Sequence, residues 1–256
     1  MRHPMLVPLL LAASAVLPGC DFDPGVQSRQ TEVATRKLDP RGTFRLDNPN
    51  GGVTIETWSR PSVRIEAEKV GYGRQLERIQ VEIRGEGDRV SVETRQPLGT
   101  IFGGGGHVNY RVTVPEEARL EIAVTNGRVH VQGPRGAVRA SCTNGSVEIE
   151  GAQAAVEASA TNGRVLARFR QVPDAGTTRL STTNGAVTLR LPAGASGRFE
   201  ARTVNGSIRS DFPLESQGSW PMRRLEGRLG DSRARFELHT VNGPVRIQKD
   251  EGAARS

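Results

Sequence analysis

The chain has few cysteines and few aromatic residues, and it lacks long apolar runs; each shortage excludes a class of protein. Its 256 residues include two cysteines, Cys20 and Cys142, which do not make the disulfide framework of a small secreted domain. Aromatic residues make up 4% of the chain, so no aromatic platform for nucleic-acid bases is expected. No apolar run after Cys20 is long enough to form a transmembrane helix.

Motifs for catalysis, metals and cofactors are also missing. The four histidines are not spaced as metal ligands, and no Gly-x-Ser-x-Gly elbow occurs. The glycine run at residues 103–106 precedes neither a helix start nor a Lys-Ser or Lys-Thr pair, which indicates a hairpin loop rather than a phosphate loop. We therefore expect no metal, no cofactor and no enzymatic activity.

One loose acidic cluster leaves a polysaccharide lyase or hydrolase as an alternative, because such an enzyme needs carboxylates gathered near a basic partner. The cluster surrounds residues 211–221, which we interpret as a loop inserted between repeats, and its members are Asp211, Glu215, Glu226, Asp231, Arg223 and Arg224. A solvated loop explains the same residues equally well.

The N-terminus has the pattern of an export signal. Residues 1–19 contain a short basic start and an apolar run of about a dozen residues. The sequence Leu17-Pro18-Gly19-Cys20 resembles the lipobox of bacterial lipoproteins, which implies cleavage before Cys20 and its lipidation. The proline departs from the usual motif, and an ordinary signal cleaved near Ala13 or Ala15 is the alternative. Residues 20–40 are polar and are predicted to form a flexible tether.

The strongest signal in the sequence is a repeated Asn-Gly-x-Val or Asn-Gly-x-Ile pattern. It begins at seven asparagines: Asn50, Asn126, Asn144, Asn162, Asn184, Asn205 and Asn242. From Asn126 onward the repeats are separated by 18, 18, 22, 21 and 37 residues. A period of about 20 residues indicates stacked structural units rather than a globular mixture of helices and strands.

Apolar and polar residues alternate on both sides of each Asn-Gly pair. Ala140 and Cys142 precede Asn144, for example, and Val147 and Ile149 follow it. Such alternation predicts a strand, a bend and a second strand. The bend is made by Asn, which tolerates the left-handed region, and by Gly, which enters it freely. An isolated pair favours a type I′ hairpin, but the regained inward pattern favours a solenoid corner with a ladder of asparagine amides.

The predicted fold is therefore all-β, a single-stranded β-helix with coils of about 18–22 residues. It covers residues 41–248 and is followed by a polar tail at 249–256. Residues 41–119 are less regular, and the 76 residues between Asn50 and Asn126 would hold about four coils. Residues 120–248 contain the regular coils. The 37-residue gap would include a degenerate coil with its corner at Glu226-Gly227 and with Trp220 and Met222 directed inward. The last coil, near residues 245–248, would leave an edge for the tail to shield.

Basic residues are concentrated in the distal repeats, where residues 161–248 contain fourteen arginines and seven acidic residues. Arg190, Arg209 and Arg246 each occupy an outward position after the bend, so stacked coils would bring them close together. We predict that they form a strip that binds an anionic polymer or surface. A solvated face of a soluble protein is the alternative interpretation.

The stretch Tyr110-Arg111-Val112-Thr113-Val114-Pro115, with the Thr-Asn-Gly repeats that follow it, resembles the DUF4097 "putative adhesin" family. The segment Leu225-Glu226-Gly227-Arg228-Leu229-Gly230 shares the resemblance, although Asp231-Ser232 departs from the family pattern. The resemblance covers about residues 41–248. It implies a right-handed, single-stranded β-helix that is associated with the cell envelope, and it offers no catalytic residues to transfer.

Together these features predict a non-catalytic binding or scaffold module, an adhesin by resemblance, anchored by lipid in the bacterial cell envelope on the periplasmic face or the cell surface. Its expected partners are the membrane and either an anionic envelope polymer or another envelope protein, and no nucleic acid is expected. An accessory protein of the envelope stress response is a second non-enzymatic alternative.

Overall fold

The structure is a computed structural model that describes residues 27–96, 106–217 and 223–250. Most of these residues lie in strands, and the predicted all-β solenoid is confirmed. The strands are β1 (Gln27–Asn50), β2 (Val53–Trp58), β3 (Ser62–Tyr72), β4 (Gln80–Arg84), β5 (Gly87–Arg95), β6 (His107–Pro115), β7 (Arg119–Asn126), β8 (Val129–Gln132), β9 (Val138–Asn144), β10 (Val147–Ala152), β11 (Val156–Asn162), β12 (Val165–Phe169), β13 (Ala175–Asn184), β14 (Val187–Leu191), β15 (Gly197–Asn205), β16 (Ile208–Ser210), β17 (Glu215–Gln217), β18 (Arg223–Leu229), β19 (Arg233–Asn242) and β20 (Val245–Lys249).

The strands form two sheets. Sheet A contains the first part of β1 with β2, β3, β6, β8, β10, β12, β14, β16 and β20. Sheet B contains the second part of β1 with β4, β5, β7, β9, β11, β13, β15, β17, β18 and β19. One coil consists of a strand in sheet B, an Asn-Gly corner and a strand in sheet A. β9 in sheet B ends at Asn144, β10 in sheet A begins at Val147, and the chain then turns back into β11. β11 pairs in parallel with β9, and β12 pairs in parallel with β10. The register joins equivalent residues of successive coils, such as Val165 and Val147. Parallel pairing of each strand with its equivalent in the next coil makes this a single-stranded β-helix.

The core lies between the two sheets and is built from the alternate residues of each strand. The valines that follow the corners form one buried row, each at most 1% exposed: Val53, Val129, Val147, Val165, Val187 and Val245. Aromatic rings fill the distal core, where Phe199 and Phe236 stack with centroids 4.8 Å apart and Phe236 meets Phe169 edge-on at 6.0 Å. Each large side chain buried in this way contributes about 1.5–3 kcal/mol.

The asparagine side chains form a continuous ladder of hydrogen bonds along the corner. Each Nδ2 donates to the Oδ1 of the neighbouring asparagine at 2.7–2.9 Å. At the proximal end of the ladder, the amide of Asn50 donates to Gln96 at 3.3 Å. The ladder links seven coils through one repeated contact, so it helps to fix the register in which the coils stack.

Glycine is required at the corners by close packing as well as by backbone conformation. Gly145 and Gly163 have φ values of 144° and 158°, which residues with a side chain avoid. A Cβ on Gly163 would overlap the carbonyl oxygen of Gly145. The asparagines do not use the left-handed region, because no described residue other than glycine has a positive φ. The expectation for asparagine was therefore wrong: glycine makes the turn and asparagine makes the ladder.

A second row of hydrogen bonds lies just inside the corner, where four coils have a threonine or a cysteine two residues before the asparagine. Thr182 and Thr240 donate from Oγ1 to the carbonyl oxygens of Gly163 and Gly185 at 2.8 and 3.0 Å. Cys142 occupies the same place and donates its thiol to the carbonyl oxygen of Gly127 at 3.3 Å. Burial raises the pKa of the Cys142 thiol. Cys142 is thus a buried free cysteine, as expected for a small core residue.

The coils are not stacked in their sequence order. The last coil, β19 and β20, lies between two coils that precede it in the chain. One is the coil of Asn184, which consists of β13 and β14, and the other is the coil of Asn205, which consists of β15 and β16. β19 pairs with β13 on one side and β15 on the other, and β20 pairs with β14 and β16. β20 is therefore an interior strand, which corrects the expectation of an unpaired edge at residues 245–248.

The described residues between Asn205 and Asn242, which are 37 positions apart, contain no degenerate coil. β18 pairs antiparallel with β15, from Gly197↔Leu229 to Thr203↔Arg223, and β17 pairs antiparallel with β18. Glu226-Gly227 lies within β18 and not at a corner. The predicted corner was wrong because residue spacing alone does not distinguish an antiparallel hairpin from a coil. Trp220 and Met222 lie outside the described residues.

The proximal region likewise differs from the predicted four coils. The coil of Asn126 packs directly on that of Asn50, with Nδ2 to Oδ1 at 2.7 Å. The intervening residues form antiparallel pairs between β3 and β6 and between β4 and β5, with a 3₁₀ helix at Gly73–Arg78. Residues 27–40, predicted as tether, belong to β1, whose first part pairs antiparallel with β3. Polar residues on both faces of that segment concealed the strand.

Several predicted features lie outside the described residues: the signal at 1–19, Cys20, residues 103–105 of the glycine run, and residues 251–256 of the tail. In the described part of the chain, no helix has the length and apolar character needed to cross a membrane. The handedness of the coil stays a prediction.

Candidate functional site

Sheet A brings the three predicted arginines together on its outer face at the distal end. Arg209 and Arg246 are register partners on β16 and β20. Arg190 on β14 is in register with Gln248, and its Nε donates to Gln248 Oε1 at 3.2 Å. Arg190 and Arg246 are therefore diagonal neighbours on adjacent strands. All three side chains are exposed.

A fourth arginine extends this group by one coil. Arg168 is in register with Arg190, and its Nε donates to Asp250 at 2.6 Å. This hydrogen bond raises the pKa of Arg168. The sequence analysis missed Arg168, although it has the same offset from Asn162 as Arg190 has from Asn184. We call Arg168, Arg190, Arg209 and Arg246 the distal basic face.

Like charges oppose each other in register on the distal basic face. Arg209 faces Arg246, and Arg168 faces Arg190. Among the described residues, Arg168 has an ion-pair partner in Asp250, whereas Arg209 and Arg246 have no carboxylate within ion-pairing distance. Directly opposed like charges on a sheet are destabilising, by an amount in the range of about 0.2–1 kcal/mol. An anion placed between these arginines would relieve that repulsion.

The outer face of sheet B compensates charge from strand to strand over the coils before β15. One row alternates in sign from coil to coil, and its members in stacking order are Arg45, Glu121, Arg139, Glu157, Arg179 and Glu237. Arg139 pairs with Glu157 at 2.7 Å, and Arg179 pairs with Glu237 at 2.8 Å. The alternation ends at Glu237, which is in register with Glu200 on β15. Arg198 on β15 is also in register with Arg235 and with Arg228, so opposed like charges occur at the distal end of both sheets.

A polar groove adjoins the distal basic face along the turns that follow sheet A. Its volume is about 850 Å³, and its lining residues are Thr57, Glu116, Gln132, Gly133, Arg135, Glu150, Gly151, Gln153, Arg168, Arg170 and Asp250. Glu116 and Arg135 form an ion pair in it at 2.7 Å. Arg168 belongs to both the groove and the basic face. The groove presents hydroxyl, amide, carboxylate and guanidinium groups, which suit an oxygen-rich ligand.

The acidic cluster that favoured a lyase is gathered only in part. The carboxylate of Asp211, beyond the end of β16, accepts the backbone N–H of Lys249 at 3.1 Å. Glu226 lies on β18 in sheet B, paired with Arg224. Asp231 lies in the turn before β19. Glu215 on β17 is in register with Glu226, so β17 and β18 bring these two positions and Arg224 together, whereas Asp211 and Asp231 lie outside these strands. The full cluster expected from the sequence positions is therefore not formed.

The histidines are also separated from one another. His107 begins β6, His130 on β8 lies 2.7 Å from Gln132, and His239 lies on β19. Across residues 27–96, 106–217 and 223–250, no three His, Cys, Asp or Glu side chains are arranged to hold a metal ion.

Comparison with known proteins identifies the family. The profile described as Toastrack DUF4097 matches residues 118–248, just over half of the chain. The chain belongs to the DUF4097 family. The match spans the corners from Asn126 to Asn242, so the resemblance that the Asn-Gly repeats indicated is confirmed. No curated protein matches this DUF4097 chain.

Solved structures are similar to this chain at low sequence identity, and the first of them has a TM-score that indicates a shared fold. A "putative cell adhesion protein" from Clostridium sporogenes is 9% identical, with a TM-score of 0.50 over 86% of this chain and 100% of its own. A "putative adhesin" from Bacteroides fragilis is 10% identical, with a TM-score of 0.34 over 87% of this chain and 98% of its own. A "putative lipid binding protein" from Parabacteroides distasonis is 9% identical, with a TM-score of 0.27 over 86% and 97%.

Proposed function

We propose that this DUF4097 protein is a non-catalytic binding module of the bacterial cell envelope, held at a membrane by a lipid on Cys20, and that its distal basic face binds anionic polymers. The observation that carries this proposal is the register opposition of Arg209 and Arg246 without a described carboxylate partner. The two guanidinium groups are in register with no described carboxylate between them, and an anionic ligand would compensate their charge.

The chemistry of guanidinium groups supports an oxyanion ligand. Arginine presents a planar fork of donors that binds carboxylate or phosphate in two places at once. Neighbouring strands repeat every 4.8 Å or so, so the basic face offers several forks at a fixed spacing. Each exposed contact is weak, on the order of 1 kcal/mol or less, and a polymer gains affinity by occupying several of them.

The groove supports a long ligand rather than a single small anion. Arg168 belongs to both the basic face and the groove, so a single polymer molecule can contact both surfaces. The ion pairs and amides of the groove offer hydrogen bonds to hydroxyl groups and little apolar surface. An acidic polysaccharide combines the carboxylates and hydroxyls that these two surfaces recognise. The Clostridium sporogenes protein of the same fold carries the description "putative cell adhesion protein", and adhesion is one use of such binding.

Binding of polygalacturonate, a defined acidic polysaccharide, tests the proposal. We expect the full chain to be retained on immobilised polygalacturonate and not on neutral dextran. The triple variant Arg190→Glu, Arg209→Glu, Arg246→Glu should bind at least about tenfold more weakly, since tenfold corresponds to about 1.4 kcal/mol. The matched control reverses three exposed arginines at the proximal end, Arg36, Arg78 and Arg89. Equal binding by the two triple variants would contradict a role for the distal basic face.

Membrane anchoring is tested separately. Cys20→Ala should release the protein from the membrane fraction of cells that export it, and continued sedimentation with membranes would contradict the lipid anchor. Protease treatment of intact cells that carry a tag after Ser256 then shows which side the solenoid faces. Loss of the tag on unbroken cells favours adhesion to other cells or matrices, whereas protection until the envelope is breached favours a periplasmic polymer.

A further inference from the structure

Two coils of this solenoid have nearly the same sequence. Residues 198–209 and 235–246 are identical at eight of twelve positions. They share Arg-Phe-Glu at the start, Thr-Val-Asn-Gly at the corner and an arginine three residues after the glycine. Phe199 and Phe236 are buried in the core, and Thr203 and Thr240 each bond a corner glycine. These two coils therefore carry the same set of stacking groups.

The second of these coils is inserted ahead of the first. β19 and β20 pack on the coil of Asn184 through Arg179–Glu237 at 2.8 Å and Asn242–Asn184 at 2.8 Å, and Thr240 donates to the carbonyl oxygen of Gly185 at 3.0 Å. On its other side, β19 is in register with β15. The space between the coils of Asn184 and Asn205 is thus a slot that holds a coil with this motif.

The connection that carries the chain into this slot is short. β18 lies on the outer side of β15 and β19 on its inner side, so residues 230–232 must cross over β15. Gly230 has a φ of 59°, and a Cβ there would overlap Ser196 Oγ. Ser196 Oγ donates to the carbonyl oxygen of Leu229 at 2.8 Å and accepts the N–H of Ser232 at 3.0 Å. A short, constrained hinge of this kind favours exchange of the segment that follows it.

We propose that a second copy of this chain can fill the slot, so that two copies exchange β19 and β20 reciprocally and are joined at their distal ends. Every contact of the inserted coil is reproduced in the exchanged dimer, and the conformational change is confined to the hinge at 230–232. Gln27 and the paired β1 and β3 lie at the opposite end of the stack, so the exchange joins two solenoids tip to tip. The partner is this chain because the matching motif occurs twice within it. This proposal is independent of polymer binding.

Disulfide trapping between two differently tagged chains tests the exchange. Both are full chains with Cys20→Ser and Cys142→Thr, which removes the native thiols. One carries Arg179→Cys and the other carries Glu237→Cys, which are register partners on β13 and β19. Register partners on neighbouring strands lie about 4.8 Å apart, within the range of about 4.4–6.8 Å for a disulfide. After the two chains are mixed, unfolded, refolded and oxidised, exchange predicts a disulfide between them.

A matched control uses Arg139→Cys on one chain and Glu157→Cys on the other. This pair also joins register partners of the alternating row, but in consecutive coils that do not cross. We expect at least tenfold less covalent dimer from this pair. A single chain with both Arg179→Cys and Glu237→Cys should form an internal disulfide as a monomer, which shows that the substituted coil still occupies the slot. Internal disulfide formation with no more interchain dimer than the control pair would overturn the proposal.

The hinge gives a second readout. Gly230→Ala should raise the fraction of dimer in size-exclusion chromatography with light scattering, because the closed hinge has no room for a Cβ. Gly194→Ala is the control, since a Cβ at Gly194 meets nothing within 4 Å. An unchanged dimer fraction for Gly230→Ala relative to Gly194→Ala would contradict exchange through this hinge.

Discussion

Asn242 donates its side-chain amide to Asn184 at 2.8 Å, across 58 residues of sequence. Asn205, which follows Asn184 in the chain, donates instead to Asn242 at 2.9 Å. The ladder therefore remains continuous while the order of the coils changes. Equivalent corner residues make the coils interchangeable partners, and connections outside the corner decide which coil lies where.

Substitution of a corner glycine should destabilise the solenoid strongly. Gly163→Ala forces a Cβ against the carbonyl oxygen of Gly145 at a φ of 158°. Overpacking and a strained backbone each cost about 1–3 kcal/mol, so we expect the free energy of unfolding in urea to fall by at least about 2 kcal/mol. Gly194→Ala, in an open loop, should change it by less than about 0.5 kcal/mol. Similar losses for the two variants would show that corner packing is not tight.

A hydroxyl added beneath a corner should stabilise it. Ala160 occupies the place of Thr182 and Thr240 but has no hydroxyl to donate to the carbonyl oxygen of Gly145. Ala160→Thr adds that donor, while Ala160→Val has nearly the same shape without it. The hydrogen bond should make the threonine variant more stable than the valine variant by about 0.5–1.5 kcal/mol. Equal thermal stability of the two variants would contradict the role assigned to the threonine row.

Stability should decline at alkaline pH through Tyr110. Burial raises the pKa of Tyr110 to about 12, even though its hydroxyl lies 2.5 Å from that of Thr94. In the unfolded chain the phenol ionises near pH 10. Its contribution is therefore complete below about pH 10 and is lost as the pH rises towards 12, by an amount on the order of 2 kcal/mol.

The two tyrosines provide a paired test of that pH dependence. Tyr110→Phe should remove this part of the decline in unfolding free energy between about pH 9 and about pH 12. Tyr72→Phe, at an exposed tyrosine, is the matched control. An identical slope in Tyr110→Phe and the unsubstituted protein would contradict the assignment.

Charge reversal on the distal basic face should increase stability while it weakens binding. Arg246→Glu replaces the opposed pair Arg209 and Arg246 with opposite charges and places a carboxylate diagonal to Arg190. Cross-strand pairs of this kind contribute about 0.2–1 kcal/mol, so the free energy of unfolding in urea should rise by about 0.5 kcal/mol. Arg246→Gln should give a smaller rise. A lower stability for Arg246→Glu would show that the arginines do not repel each other.

The sequence predicts the repeating unit well because that unit is a local pattern. Alternation around Asn144 indicates two strands, the spacing gives the coil length, and the amide of Asn144 joins the ladder at 2.8 Å. The positions of Arg190, Arg209 and Arg246 also follow from their offsets after the corner. Each of these inferences depends on residues within one coil and on equivalence between coils.

The sequence does not reveal the order in which the coils stack or which distant strands pair. The insertion of β19 between β13 and β15 uses a coil whose motif is almost the same as that of β15, so local pattern does not distinguish the two orders. The first part of β1 has polar residues on both faces, a pattern typical of a flexible tether, yet it pairs with β3 along its length. Arg168 differs from these cases, because it stands six residues after Asn162 as Arg190 does after Asn184, so the sequence contains the signal for it.

The salt dependence of polygalacturonate binding tests the central claim most directly. Electrostatic contacts on an exposed face weaken as the Debye length falls from about 10 Å at 0.1 M salt to about 3 Å at 1 M. We predict that the affinity of the full chain falls steeply over this range, and that Arg209→Glu with Arg246→Glu removes most of the binding and most of its salt dependence. Binding that persists at high salt, or that is unaffected by the two substitutions, would contradict the account.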